Sequence, residues 1–280
     1  MPQSSGSRPR TGRYNTSVVK TQGWRLALLW LGALLASAAP ARGADGGPTP
    51  VLVELFTSEG CSSCPPADTL LQRLVDGAPW PNVQVIGLGH HVDYWDHQGW
   101  RDRFSSSALT ARQQAYGSAL HIDAIYTPQM IADGRFQFLG SDAAAGRRAI
   151  EQALAEPHGA VAVTVEPASA NRVTVLVTAT NLPAVTRRDR ADLVIAITED
   201  GLQSKVRAGE NSGRTLAHAA VVRRLTIIGE AVGERPSGRA DVALDRDWRR
   251  DRLKVVAFVQ ERSSRRVLAS GLTTLPSARP

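Results

Sequence analysis

Two short stretches of the chain are apolar with almost no interruption, residues 51–57 (VLVELFT) and 83–89 (VQVIGLG). Runs of this length read as buried strands. Between them Ala67, Leu70, Leu71, Leu74 and Val75 fall at i, i+3, i+4, i+7 and i+8, which predicts a helix over 66–75. Pro65 and Pro66 mark its first turn, where a missing N–H matters least. Ala108, Leu109, Ala115, Tyr116, Ala119 and Leu120 repeat the helical spacing over 106–120. Residues 128–133 and 136–139 read as strands joined at Asp133-Gly134, a hairpin signal. A helix over 142–155 would bury Ile150, Ala153 and Leu154. The predicted order is β-α-β-α-β-β-α.

Beyond Pro157 the period becomes two. Val161, Val163 and Val165 alternate with other residues. So do Val173, Val175 and Val177, then Leu193, Ile195 and Ile197, then Leu253, Val255, Ala257 and Val259. Turn signals at Asn181-Leu182-Pro183, Asp200-Gly201 and Asn211-Ser212-Gly213 separate them. This predicts a smaller, all-β, sandwich-like domain over 158–280, after an α/β domain over 44–157. Residues 263–266 read as a hairpin tip.

The first 43 residues differ from both parts. Arg8, Arg10, Arg13, Lys20 and Arg25 precede an apolar stretch, Leu26–Ala39, and then the small residues of Ala39-Pro40-Ala41-Arg42-Gly43-Ala44. That order predicts a signal peptide over 1–43 and a secreted or periplasmic protein after cleavage. An uncleaved anchor is the competing reading. No apolar run reaches 18 residues, so no stable membrane span is expected in the mature form. Six of the 33 basic residues and none of the 26 acidic ones lie in 1–43, so the remainder carries only +1. The overall +7 therefore gives no reason to expect nucleic-acid binding. Residues 44–157 carry −6 and 158–280 carry +7.

Cys61 and Cys64 are the only two cysteines. In an oxidising compartment they can close a disulfide. They lie between the first predicted strand and the first helix, where free N–H groups and the helix dipole would favour a thiolate on an exposed Cys61. Glu59 and the two prolines work against that effect. As a staple, so short a loop contributes only about 2 kcal/mol. No second cysteine pair offers a zinc site, and Pro65 stands where haem attachment needs histidine.

The segment VELFTSEGCSSCPPAD resembles the active-site segment of the thioredoxin superfamily. It is more closely similar to a group of secreted bacterial thioredoxin-like proteins known only as a domain of unknown function. Tyr126-Thr127-Pro128-Gln129-Met130-Ile131-Ala132-Asp133-Gly134 resembles the cis-proline strand and hairpin of that superfamily. The resemblance implies a thioredoxin-like fold for 44–157. It also implies a cis Thr127–Pro128 peptide beside the cysteines, with Thr127 and Pro128 meeting substrate. It further offers Glu54 as a buried acid that moves protons, although one extra residue separates Glu54 from the cysteines. A hydrogen-bonded structural carboxylate is the other reading of Glu54. The stretch His90-His91-Val92-Asp93-Tyr94-Trp95-Asp96-His97-Gln98-Gly99-Trp100 is longer than a minimal fold needs, and Trp95 is a candidate for substrate contact.

The expected function is thiol–disulfide exchange through Cys61 and Cys64 as an exported oxidoreductase. Its partners would be a protein or small-molecule thiol or disulfide and a redox partner, with no cofactor and no metal. One alternative is a periplasmic copper-binding or copper-handling protein using the cysteines and nearby histidines, since soft thiolates suit Cu(I). Another is a non-catalytic binding module.

Overall fold

In the computed structural model, which describes residues 47–77 and 79–276, the predicted elements of the first half lie close to their expected places. They are β1 (Thr49–Thr57), α1 (Pro65–Asp76), β2 (Val83–His91), α2 (Ser107–Ala119), β3 (Gln129–Ala132), β4 (Phe136–Leu139) and α3 (Ala143–Leu154). The caps follow from side-chain chemistry. Ser106 accepts from Leu109 N at the start of α2, and Asp142 accepts from Ala144 N and Ala145 N at the start of α3. The second half adds β5 (Ala160–Ser169), β6 (Arg172–Thr180), β7 (Ala191–Glu199), β8 (Leu202–Lys205), β9 (Thr215–His218), β10 (Val221–Glu230), β11 (Ser237–Ala243), β12 (Leu253–Glu261) and β13 (Val267–Thr274). Residues 262–266 turn the β12–β13 hairpin, and the tip expected at 263–266 falls within them. The signal-peptide reading of 1–43 concerns residues outside those described. Among the described residues no helix is long and apolar enough to cross a membrane.

The expected fold class is overturned. The chain does not build a thioredoxin-like α/β domain followed by a separate sandwich. The described residues are mostly β, with three α-helices against thirteen strands. Eight strands from both halves form one mixed sheet in the order β13-β12-β7-β10-β2-β1-β3-β4. The β1–β2 and β2–β10 pairs are parallel, and the other neighbours are antiparallel. A three-stranded sheet, β11-β6-β5, packs on the β7–β12–β13 end. There Val173, Val175 and Val177 meet Leu193, Ile195 and Val255. The sandwich-like packing of the second half thus rests on a sheet that the first half continues.

The physical reason is the exposed edge of β2. An unpaired strand edge presents a row of free N–H and C=O groups, and β10 covers it. Gly89 N donates to Ala220 O at 2.8 Å. A Cβ at residue 89 would stand 2.6 Å from Ala219 O, so only glycine lets the two backbones meet here.

The faces of β1 separate two environments. Val51, Val53 and Leu55 pack with Leu70 and Leu71 of α1. Glu54 points the other way, toward α2. Arg112 donates to its carboxylate from Nε (2.6 Å) and Nη2 (2.8 Å), Tyr116 donates from its hydroxyl, and His90 Nε2 lies 2.7 Å away. Gln260 of β12 joins the same cluster, accepting from Arg112 Nη2 at 3.0 Å and donating to Tyr116 at 2.7 Å.

Candidate functional site

Cys61 and Cys64 form a disulfide at the start of α1. The turn between them is regular: Cys64 N donates to Cys61 O at 3.2 Å, and Ala67 N and Asp68 N donate to Cys64 O at 2.9 and 3.2 Å. Cys64 is the N-cap, followed directly by the two prolines.

The exposure expected of Cys61 is not found. Cys61 is 0% and Cys64 1% exposed, while Ser62 and Ser63 between them face solvent. The cause lies 150 residues along the chain, in the loop between β8 and β9. Asn211, itself fully buried, donates from Nδ2 to Glu59 O and to Cys61 O, both at 2.9 Å. Its neighbour Glu210 accepts from Ser62 N at 3.0 Å. This loop is bonded to the backbone on both sides of Cys61.

The other residues singled out from sequence divide into two groups. Thr127–Pro128 is a cis peptide. Trp95 Nε1 donates to Thr127 Oγ1 at 2.8 Å. A Cβ at Gly60 would lie 3.1 Å from Trp95 Cβ and 3.4 Å from Trp95 O, so Trp95 sits directly against the residue preceding Cys61. A Cβ at Gly140 would lie 3.1 Å from Ala67 Cβ and 3.2 Å from Pro128 Cβ, which sets Pro128 beside the first turn of α1. Cys61, Cys64, Trp95, Thr127 and Pro128 therefore gather at one place. Glu54 does not join them, because it occupies the face of β1 turned away from α1.

A second cluster lies behind the disulfide, and sequence reasoning did not assemble it. It consists of Glu59, Asp68, His91, Asp102 and His218, each 0–5% exposed. Asp68 stands one helical turn after Cys64, and its Oδ2 accepts from Thr57 Oγ1 at 2.9 Å. His91 ends β2, and its Nδ1 lies 2.6 Å from Asp102 Oδ2. Asp102 also accepts from Glu59 N and Phe104 N, both at 2.9 Å. Trp100 Nε1 donates to Glu59 Oε2 at 2.6 Å, which accounts for this second tryptophan of the aromatic stretch. His218 ends β9, with Nδ1 3.3 Å from Asp68 Oδ1 and Nε2 3.4 Å from Glu59 Oε1. The His91 and His218 rings stand 4.8 Å apart at 79°, and the Phe104 ring lies 5.3 and 5.7 Å from them.

The electrostatics follow from the carboxylates. Burial alone would lower the pKa of His218, but Asp68 and Glu59 facing its ring push it up to about 9. Burial would raise the Asp102 carboxyl, but His91 and the two backbone N–H groups hold it below the usual carboxylate range. Two signals for this cluster stood in the sequence. Asp68 is a charge inside the apolar face of α1. His218 alternates with Leu216 in a short period-two strand.

Comparison with known proteins places this arrangement. A family model described as a protein of unknown function (DUF1223) matches residues 52–260, which spans both cysteines, the Asn211 loop and both histidines. The chain belongs to the DUF1223 family. No curated protein matches it. Two solved structures share its fold. Protein AGR_C_4864 from Agrobacterium tumefaciens is 24% identical, with 83% of this chain and 97% of that one covered and a TM-score of 0.63. HBP35 of Porphyromonas gingivalis is 15% identical, covering 85% and 80%, with a TM-score of 0.61. At these identities the DUF1223 chain shares their architecture, and no function passes from them.

Proposed function

We propose that the protein is an exported thiol–disulfide oxidoreductase whose exchanging pair is Cys61 and Cys64, acting on a protein or small-molecule thiol or disulfide. The observation that carries the reading is the pair's setting. The disulfide closes at a helix start, with Trp95, Thr127 and Pro128 gathered around it. A loop this short adds only about 2 kcal/mol as a cross-link, so a staple accounts poorly for it. The likeness of residues 53–68 to redox segments of the thioredoxin superfamily points the same way. The basic and apolar leader supports export to an oxidising compartment, where such a pair persists.

The exchange needs no cofactor. A substrate thiolate attacks one sulfur of the pair, forming a mixed disulfide and releasing the other sulfur as thiolate. A second substrate thiolate then attacks the mixed disulfide. Substrate leaves oxidised by two electrons and both cysteines are left reduced. The reverse sequence reduces a substrate disulfide. In either direction the loop around Asn211 must draw back first. Asn211→Ala leaves the Glu59 carbonyl without its donor and the Cys61 carbonyl with Cys64 N alone, a loss of about 1–3 kcal/mol concentrated in that contact. We expect the variant's disulfide to be reduced by dithiothreitol about 5- to 140-fold faster than the wild type's, by the equivalence of 1.4 kcal/mol to a factor of ten. An unchanged rate would show that the loop does not limit access.

Trapping tests the function itself. In Cys64→Ala, Cys61 can attack a substrate disulfide, but no remaining cysteine can release the product. The variant, expressed in an exporting host, should accumulate adducts that disappear on reduction in a gel. A chain that stays wholly monomeric, with Cys61 accessible to alkylation, would leave the disulfide a structural one.

A further inference from the structure

We infer that Asp68, His91 and His218 form a binding site for one divalent transition-metal ion, of the zinc class that takes imidazole and carboxylate ligands together. The inference does not rest on the redox reading, because the cysteines take no part in it.

The placement of the three side chains is the first ground. One ligand atom from each lies within 4.8 Å of the others, and all three residues are buried. Ligands about 2.1 Å from a tetrahedral zinc stand about 3.4 Å apart, so closing the trio needs side-chain movement on the order of 1 Å.

The second ground is how each side chain is held. Asp68 has Oδ2 fixed by Thr57 Oγ1, which leaves Oδ1 facing His218. His91 has Nδ1 fixed by Asp102. A carboxylate only accepts, so Nδ1 carries the proton, and in the neutral ring Nε2 keeps its lone pair. His218 turns Nδ1 toward Asp68 and Nε2 toward Glu59. Glu59 is fixed in turn by Trp100. Each histidine therefore has a carboxylate behind the ring nitrogen that does not face the trio: Asp102 for His91 and Glu59 for His218. Metal-bound histidines are oriented in this way.

The third ground is the pairing of the buried polar atoms in the cluster. His91 Nε2 is buried without a hydrogen-bond partner among the described residues, and His218 Nε2 and Glu59 Oε1 face each other at 3.4 Å without hydrogen-bond geometry. Buried polar atoms are nearly always paired, and leaving them bare is destabilising. A cation between the imidazoles takes up the His91 lone pair and draws Glu59 onto His218 Nε2–H. It also balances the buried carboxylates of Glu59, Asp68 and Asp102. Three protein ligands leave one position for water or another small ligand, as in open zinc sites.

The test uses the whole oxidised protein, stripped by a chelator and titrated with Co(II), with Zn(II) then added in competition. One equivalent of Co(II) should give the visible absorption of a four- or five-coordinate ion, and Zn(II) should displace it and raise the melting temperature. His91→Ala and His218→Ala should abolish this uptake. Asp102→Asn should weaken it about 10- to 100-fold, the usual effect of losing the group behind a metal-bound histidine. His97→Ala, at an exposed position of the same histidine-rich stretch, should change nothing. Where His218→Ala does not fold, Asp68→Asn keeps the side chain's shape and should lose the same signal. Failure of the wild type to take up either ion overturns the inference. So does uptake that survives loss of His218, or uptake that disappears in Cys61→Ser/Cys64→Ser while the histidine variants retain it.

Discussion

Cys61→Ser is expected to abolish thiol–disulfide exchange while leaving the protein folded. Serine matches cysteine closely in size, but its hydroxyl is almost never ionised near neutral pH and forms no disulfide. The folded state loses the cross-link, about 2 kcal/mol for a loop of this length, against the 5–15 kcal/mol typical of a stable domain. Turnover of a protein disulfide such as insulin should therefore fall to the uncatalysed rate, with unchanged far-ultraviolet circular dichroism. Cys64→Ser separates attack from release, since it should still react once with substrate and then stall. If neither the wild type nor Asn211→Ala reduces or oxidises a test substrate, the redox reading fails.

Arg112→Met is expected to destabilise the protein by about 3–5 kcal/mol, the usual result of leaving a buried charge without its partner. Glu54 is 0% exposed, and its carboxyl is held far below the ordinary range. Burial would raise it, but the Arg112 charge and hydrogen bonds from His90 and Arg112 outweigh that effect. The variant should shift the urea midpoint sharply downward with little change in slope. The double variant Arg112→Met/Glu54→Leu should recover much of the loss, because neither charge then remains buried. The sign of the pH dependence follows. Glu54 has a depressed folded pKa, so its contribution is complete above its ordinary value of 4.5 and is lost as pH falls below that. In Arg112→Met this acid-side loss should shrink.

These two predictions mark what sequence could and could not supply. Local periodicity located α1, α2, α3, β1 to β4, and β5, β6, β7 and β12, because burial of one face dictates spacing along the chain; β8 to β11 and β13 were not read from it. It could not show that β10 closes on β2. That junction rests on backbone groups at Gly89 and Ala220 and on the absence of a side chain, which leaves no hydrophobic pattern. The cysteines were singled out by their spacing before a helix, Thr127 and Pro128 by the resemblance to a thioredoxin segment, and Trp95 by its place in the aromatic stretch. Glu54 was legible as a buried acid in an apolar strand. Its partner could not be named, since Arg112 lies 58 residues away and its charge alone suggests a solvated helix face. Asp68, His91 and His218 belong to three separate elements and meet only after the sheet has formed.

The loop around Asn211 has a consequence for the order of events as the chain folds. Cys61 and Cys64 are three residues apart, so they can find each other as soon as the first helix turns. The loop bonded to Cys61 arrives from 150 residues downstream and depends on non-local strand pairing, which is slow to form. The disulfide is thus open to oxidants and to other thiols throughout an interval that ends when β8 and β9 dock. On the proposed redox reading, the state of the pair in the finished molecule would record the environment in which the chain folded, held until the loop around Asn211 is drawn back.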